Sequence, residues 1–254
     1  MSASPSSSAP ALSVVIPTYN ERTRIAELVA ALFEECRKAD VDVELVVVDD
    51  NSPDGTGAIV DELVPRYAPR LRAVHRSGKL GLGTAVMEGF LAATAPVAGV
   101  MDADFSHPPS ALPRLLETLT RTGADAVIGS RYIPGGDAAN WPRSRLLLSK
   151  LACVLARPLT PVRDATSGFF LIRRAVVDGV TIRAGGFKIC LELLMRSPVR
   201  SVVEVPYVFV DRTIGKSKMT AREAMGYFTQ LWTLYRLRGS SRRTIQYRRE
   251  PPLA

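Results

Sequence analysis

Cysteine is scarce in this 254-residue chain, and the three present, Cys36, Cys153 and Cys190, are far apart and odd in number. They form no CxxC or zinc-type spacing, which argues against a disulfide framework and for a reduced, intracellular protein. Histidine is scarcer still. His75 ends an apolar run and His107 precedes two prolines, and neither has the Ser, Asp or Cys company of a nucleophilic triad. Covalent hydrolase chemistry is therefore not expected. Long hydrophobic runs are missing as well: the longest uncharged ones, 89–101 and 224–235, are too short to span a bilayer. The first ten residues, "MSASPSSSAP", lack the basic start and apolar stretch of a secretory signal and read as a disordered polar tail.

Two glycine signatures fail on inspection. "GKLGLGTAV" has Val86 where the third glycine of a dinucleotide fingerprint belongs. "GKS" at 215–217 has Val210 where a P-loop needs its first glycine. No zinc finger or RNP-type aromatic motif occurs, so a nucleic-acid partner is not expected.

What is present is an uneven distribution of charge. Residues 1–140 hold 12 basic against 18 acidic residues, a net −6, whereas residues 141–254 hold 21 against 7, a net +14. A basic half joined to an acidic half points to a membrane surface or an anionic substrate. With 46% hydrophobic residues the chain can bury a core as one large domain or two small ones.

Residues 11–130 alternate between apolar strand-like runs and amphipathic helical ones. "ALSVVIP", "VELVVVDD", "LRAVHR", "PVAGVMD" and "ADAVIGS" read as strands. Between them, "RIAELVAALFEE" places Ile25, Leu28, Val29, Leu32 and Phe33 on one helical stripe. "GTGAIVDELVPRY", "LGTAVMEGFLAA" and "PSALPRLLETLTR" read as further helices. This alternation predicts a mainly parallel sheet covered on both faces, with ligands at the carboxyl ends of the strands. The loops after Pro17, Val48, Val74, Met101 and Gly129 are therefore the places to search. Later, 144–159, 186–197 and 221–238 read as helices, "VVEVPYVFV" (202–210) as one strand, and 239–254 as a basic disordered tail.

The segment "GVMDADFSHPP" ends an apolar strand in Asp102 and Asp104. On an extended strand these would share a face and could meet a hard cation, although Asp and Pro-Pro also suit a solvated turn. "VVDDNSPDGT" ends another strand in Asp49 and Asp50. Two such pairs at neighbouring strand ends make an acidic crater, costly unless a cation and a polar ligand compensate it. The loop "VDRTIGKSKM" brings Arg212, Lys216 and Lys218 around Gly215, either as an anion clamp or as a solvated basic loop. Lys188 reads equally as a surface helix residue or a phosphate ligand.

In order, "VVIPTYNER", "VVVDDNSPDGTG", "GKLGLGTA", "VMDADFSHPP", "IGSRYIPGG", "DATSGFFLIRR", "GFKICLELL" and "VEVPYVFVDRTIGKSKM" resemble the dolichol-phosphate and polyprenol-phosphate mannose synthases. These are inverting family 2 glycosyltransferases, and the likeness covers roughly residues 12–220. The resemblance implies a single GT-A (Rossmann-like) α/β domain over 11–220, with amphipathic interface helices including 221–238. It implies that Pro17, Tyr19, Glu21, Val48 and Asp50 hold the nucleotide, and that Asp102, Ala103 and Asp104 form the metal and diphosphate element, with Mg2+ or Mn2+ as cofactor. Ser106 stands at a further metal-side position. Arg131, Lys188, Arg212 and Lys218 match residues that clasp the donor diphosphate or acceptor phosphate, and Arg145 and Ser149 match acceptor-phosphate positions beside the helix. Asp102, Asp104, Arg212 and Lys218 are the implied catalytic set.

The implied reaction is transfer of mannose from GDP-mannose to dolichyl or polyprenyl phosphate. Its residue types suit the chemistry, because a phosphate monoester needs no strong base, whereas the departing diphosphate needs positive charge. The alternative is a UDP-glucose or other UDP-hexose transferase to the same lipid. A nucleotidyltransferase would need a glycine-rich basic N-terminal loop, which "IPTYNER" is not, and a non-catalytic membrane module would not need the acids and cations. Many family members carry transmembrane helices, whereas this chain shows none. Access to the membrane surface, expected at its cytoplasmic face, falls to "RLLLSKLACVLARPL", to 221–238 with its basic tail, or to a membrane-anchoring partner subunit.

Overall fold

The computed structural model describes residues 9–182, 188–211, 221–240 and 244–252. Most of the polar N-terminal tail thus lies outside the described residues. The alternation expected from the sequence is present: β1 (Leu12–Thr18), α1 (Ile25–Lys38), β2 (Val43–Asp49), α2 (Thr56–Tyr67), β3 (Leu71–His75), α3 (Leu82–Ala92), β4 (Val97–Val100), α4 (Ala111–Thr122) and β5 (Ala126–Ser130). Then follow β6 (Asp137–Ala139), α5 (Arg143–Ala156), β7 (Phe170–Arg173), α6 (Ile189–Arg196), β8 (Ser201–Pro206), β9 (Val208–Val210), α7 (Ala221–Ser240) and β10 (Gln246–Arg249).

Local sequence explains the elements. In α1, Ile25, Leu28, Val29, Leu32 and Cys36 are buried along one stripe. Glu27 in its first turn and Arg37 and Lys38 in its last complement the helix dipole. Strand β2 is buried along its whole length because helices cover both faces. Alternate residues of β1 accordingly enter different cores. Val14 and Ile16 join α1 and α4, and Val15 joins α3, α6 and α7. Gly89 lets α3 lie close against Val15, since a Cβ there would stand 2.3 Å from its Cγ1.

Among the described residues, eight strands form one sheet in the order β10-β8-β5-β7-β4-β1-β2-β3. Every pairing is parallel except the two made by β7, which runs against β4 and β5. This mixed, mostly parallel sheet is the expected GT-A architecture.

Two expectations need correction. The run 202–210 is not one strand: it divides at Tyr207 after Pro206, and β9 leaves to pair with β6 in a separate small sheet. The final segment is not wholly disordered. Residues Gln246–Arg249 extend the main sheet as β10, because pairing with β8 satisfies a backbone whose charged side chains need no core. Among the described residues no helix is long and apolar enough to cross a membrane.

Candidate active site

Strands β1–β5 and β8 share one direction, so Thr18, Asp49, His75, Val100, Ser130 and Pro206 end on one edge of the sheet. The reversed strand β7 starts at that edge and brings Asp164–Phe169 to it. One edge thus gathers residues that are far apart in sequence.

At the β1–β2 end, the acidic crater is compensated largely by the protein itself. Asp49 accepts hydrogen bonds from the Ser52 N–H at 3.0 Å and from the Thr18 hydroxyl at 3.3 Å, which fixes the turn. Asp50 pairs with Arg76, whose side chain is almost wholly enclosed. Sequence reasoning overlooked Arg76, although it directly follows the strand run ending at His75. Val48 has its side chain in the core and its carbonyl bonded to Thr18, so only its backbone borders the edge. Tyr19 is partly exposed, with the Lys79 ammonium 4.0 Å from its ring centroid. Pro17 and Glu21 are half-buried beside it, and the Glu21 N–H donates to Thr56 Oγ1 at 3.0 Å.

The Asp102-Ala103-Asp104 segment is a turn, not a strand end. β4 stops at Val100, and Phe105 adopts a left-handed φ of 61°. The same-face argument for the two carboxylates therefore fails, and the turn does the positioning. Asp104 is buried and accepts the Ser106 N–H at 2.9 Å, while Ser106 Oγ is buried with no hydrogen-bond partner among the described residues. Ala103, between the two acids in sequence, is buried. The Asp102 side chain is 36% exposed, and its backbone N–H donates to His107 Nδ1 at 3.2 Å.

Gly168 faces Asp102: a Cβ there would stand 3.3 Å from Asp102 Oδ2. The glycine leaves room beside that carboxylate. His107 is stacked on Phe169 with centroids 5.0 Å apart, and burial depresses its pKa, so it is a neutral packing residue. Among the described residues no group of three or more His, Cys, Asp or Glu side chains could hold a metal alone. Asp102 and Asp104 offer hard carboxylate oxygens, the donor type a divalent cation takes, and the further ligands of such an ion would have to come from substrate and water.

Across the edge, Arg131 is buried against Asp164. Its Nε and one terminal nitrogen donate to the two carboxylate oxygens at 2.7 Å each, and its backbone N–H donates to Oδ2 at 3.0 Å. Burial opposes the Arg131 charge, and Asp164 outweighs it, raising the pKa. Arg145 stacks on Trp141, 3.9 Å from the ring centroid, and donates to Asp211 at 2.7 Å. Arg131 reaches the same Trp141 ring at 5.3 Å. The Tyr132 hydroxyl donates to Ser149 at 2.7 Å. Lys188 has its pKa lowered by burial and then by Arg131, and Asp102 acts in the opposite direction.

Arg131, Arg145 and Ser149 are thus brought together around Trp141 and Tyr132, with Lys188 near Arg131. Arg212 and Lys218 lie outside the described residues. Trp141 and Asp164 were the unread partners. Asp164 stood in a quoted motif, but its distance of 33 residues from Arg131 hid the pairing.

Helix α5 leaves Leu147, Leu148, Leu151 and Val154 substantially exposed and buries only Cys153 and Ala156. Neighbouring α7 is tied to it by Tyr227 and Tyr235 hydroxyls donating to the Ala152 and Leu155 carbonyls, and it exposes Met225, Phe228 and Trp232.

Residues 13–181 match the glycosyl transferase family 2. The polyprenol monophosphomannose synthase of Mycolicibacterium smegmatis is 43% identical over 225 residues, covering 84% of this chain and 83% of the relative. The dolichol-phosphate mannosyltransferase of Pyrococcus furiosus is 39% identical over 240 residues, covering 93% of this chain and 67% of the relative. Among solved structures, a mannosyltransferase from Pyrobaculum calidifontis in complex with GDP-Man and Mn2+ superposes with a TM-score of 0.63 at 20% identity, covering 89% of this chain and 65% of that one. That likeness carries the fold.

Proposed function

We infer the function from one premise: the chain belongs to glycosyl transferase family 2, and within it to the enzymes that transfer mannose to a polyprenyl phosphate. The observation that carries this reading is the extent of its similarity to named mannose synthases over most of the chain. We further propose GDP-mannose as the donor. Its nucleotide would lie along Pro17, Tyr19, Glu21, the Val48 backbone and Asp50, and its diphosphate would reach the Asp102–Asp104 turn.

The charges at the edge suit inversion at the sugar's anomeric carbon. The lipid phosphate arrives as an anion and attacks directly, so no general base is required. His107, stacked on Phe169 with its Nδ1 already accepting the Asp102 N–H, and the buried Tyr207, whose pKa is raised by burial, accord with that. Asp102 and Asp104, with Ser106 alongside, would hold Mg2+ or Mn2+, which supplies positive charge for the departing diphosphate.

Arg131 would meet a phosphate with its second terminal nitrogen, since Asp164 takes the other donors and fixes the fork. Lys188 would be drawn toward its charged form by an arriving phosphate. Arg145 and Ser149 would receive the acceptor headgroup, and Arg212 and Lys218 would supply further positive charge for the phosphates. The acceptor is a membrane lipid, and the exposed apolar rows of α5 and α7 with the basic C-terminal residues would rest on the cytoplasmic membrane surface.

The direct experiment presents labelled GDP-mannose and UDP-glucose, each with C55 polyprenyl phosphate, with and without chelator. A lipid-extractable, acid-labile mannose product, formed from GDP-mannose only and abolished by chelation, is expected. A product from UDP-glucose alone would replace the proposed donor.

A further inference from the structure

The last described segment, residues 244–252, does more than complete the sheet. Its strand β10 pairs with β8, and the Tyr247 hydroxyl donates to the carboxylate of Glu204, a fully buried residue of β8. The same carboxylate accepts the backbone N–H groups of Arg163 at 2.8 Å and Asp164 at 2.9 Å. Asp164 in turn grips Arg131 through three hydrogen bonds. A continuous chain of hydrogen bonds therefore runs from the C-terminal strand to the Arg131 guanidinium.

The segment is fastened at further points. Glu250 pairs with Arg121 of α4 at 2.8 Å, and the Pro251 carbonyl accepts from Arg114 at 3.0 Å. Pro252 then lies against Gly135, where an added Cβ would stand 2.7 Å from the proline Cβ. Gly135 belongs to the turn that follows Arg131 and Tyr132, and its φ of 87° suits glycine. The strap is thus linked through Glu204 to the loop that holds Asp164, and it touches the turn that follows Arg131.

We propose that the C-terminal strap is a positioning device for the phosphate-binding Arg131, acting from Tyr247 through Glu204 and Asp164. A buried carboxylate must have its lone pairs occupied to stay fixed. Glu204 draws its donors from exactly the two parts that need aligning, the 163–164 backbone and the strap. Burial raises the Tyr247 pKa, so the hydroxyl keeps its proton and remains a donor across the working range. Tyr247 and Glu204 touch no substrate on this account. The proposal rests on the reading of Arg131 as a phosphate ligand.

The test is a double-mutant cycle of Tyr247→Phe and Arg131→Lys in the full chain, followed by steady-state transfer to polyprenyl phosphate and by thermal melting. Tyr247→Phe alone should lower kcat/KM roughly tenfold through loss of one hydrogen bond to a charged group, with a melting shift of only a few degrees. Arg131→Lys should lower it further, and adding Tyr247→Phe to Arg131→Lys should then change little, because the strap acts through the arginine. Independent, multiplying effects, or a Tyr247→Phe enzyme with unchanged kinetics, would overturn the strap while leaving Arg131 in the site. An Arg131→Lys enzyme with full activity would remove Arg131 from the site and the strap's function with it. Should Arg131→Lys fail to fold, Asp164→Asn takes its place in the cycle with the same expected non-additivity and the same contrary result.

Discussion

Replacing Leu147 and Leu151 together by Glu separates a membrane-facing α5 from an ordinary packed helix. The two side chains are 69% and 49% exposed, so together they offer slightly more than one full leucine surface to whatever lies outside. Burying that surface at a bilayer is worth about 2 kcal/mol. Each new carboxylate at an anionic surface adds repulsion of about 1 kcal/mol. The combined loss of about 4 kcal/mol corresponds to roughly a thousandfold weaker vesicle binding. Folding should barely change, because Glu and Leu have similar helix propensities and exposed substitutions usually shift stability by about 0.5 kcal/mol each.

The assay is sedimentation with vesicles containing phosphatidylserine, beside a thermal melt and transfer to detergent-dispersed acceptor. A folded variant that stays in the supernatant yet works in detergent is expected. Unfolding would show that α5 packs as core. Unchanged vesicle binding by a folded variant would move the anchor to α7, the basic tail or a partner subunit.

Asp102→Asn should lower transfer by roughly 10²–10³-fold, about 3–4 kcal/mol of barrier by analogy with a lost charge stabiliser, with an unaltered melting temperature because the side chain is partly exposed. Normal turnover at saturating magnesium or manganese would remove Asp102 from the metal element. Gly168→Ala should crowd the same carboxylate by a few tenths of an ångström and cost roughly five- to tenfold in kcat/KM. An unaffected enzyme would show that Asp102 has slack there. Arg145→Ala should raise the KM for the lipid phosphate far more than that for the nucleotide sugar. Since it also releases Asp211 and uncovers Trp141, an equal rise in both constants would place Arg145 on the donor side instead.

Much of this was legible in the sequence, for identifiable reasons. The stripe of α1 and the continuous apolar runs of β1 and β2 carry their burial in their periodicity, and the order of strands and helices fixed which edge to search. What escaped depended on partners far along the chain. β7 is a short apolar run whose direction no local pattern encodes, and β10 carries charges that imitate disorder while its backbone supplies the ladder. Asp50 reads as an unbalanced acid until Arg76 is brought against it. A turn at Asp102–Asp104 is among the readings that Asp and Pro-Pro offer, whereas the left-handed backbone at Phe105 that shapes it leaves no signature in the residue type.

The reversal of β7 has a mechanical consequence. Residues 131–168 leave the sheet from β5 and re-enter beside it, with the Gly129 N–H donating to the Phe169 carbonyl at 2.9 Å. They form one closed excursion, and the Arg131–Asp164 pair is the clasp across its neck. Helix α5 hangs inside that excursion. The segment proposed to ride on the lipid surface is therefore suspended from the residue proposed to hold the phosphate. Force or tilt applied at the bilayer would reach the reacting groups through that two-pronged clasp as well as through the ties from α5 to α7 and Asp211. The excursion could be rewritten for another acceptor without disturbing the register of the main sheet, the β6–β9 pairing alone being drawn from it.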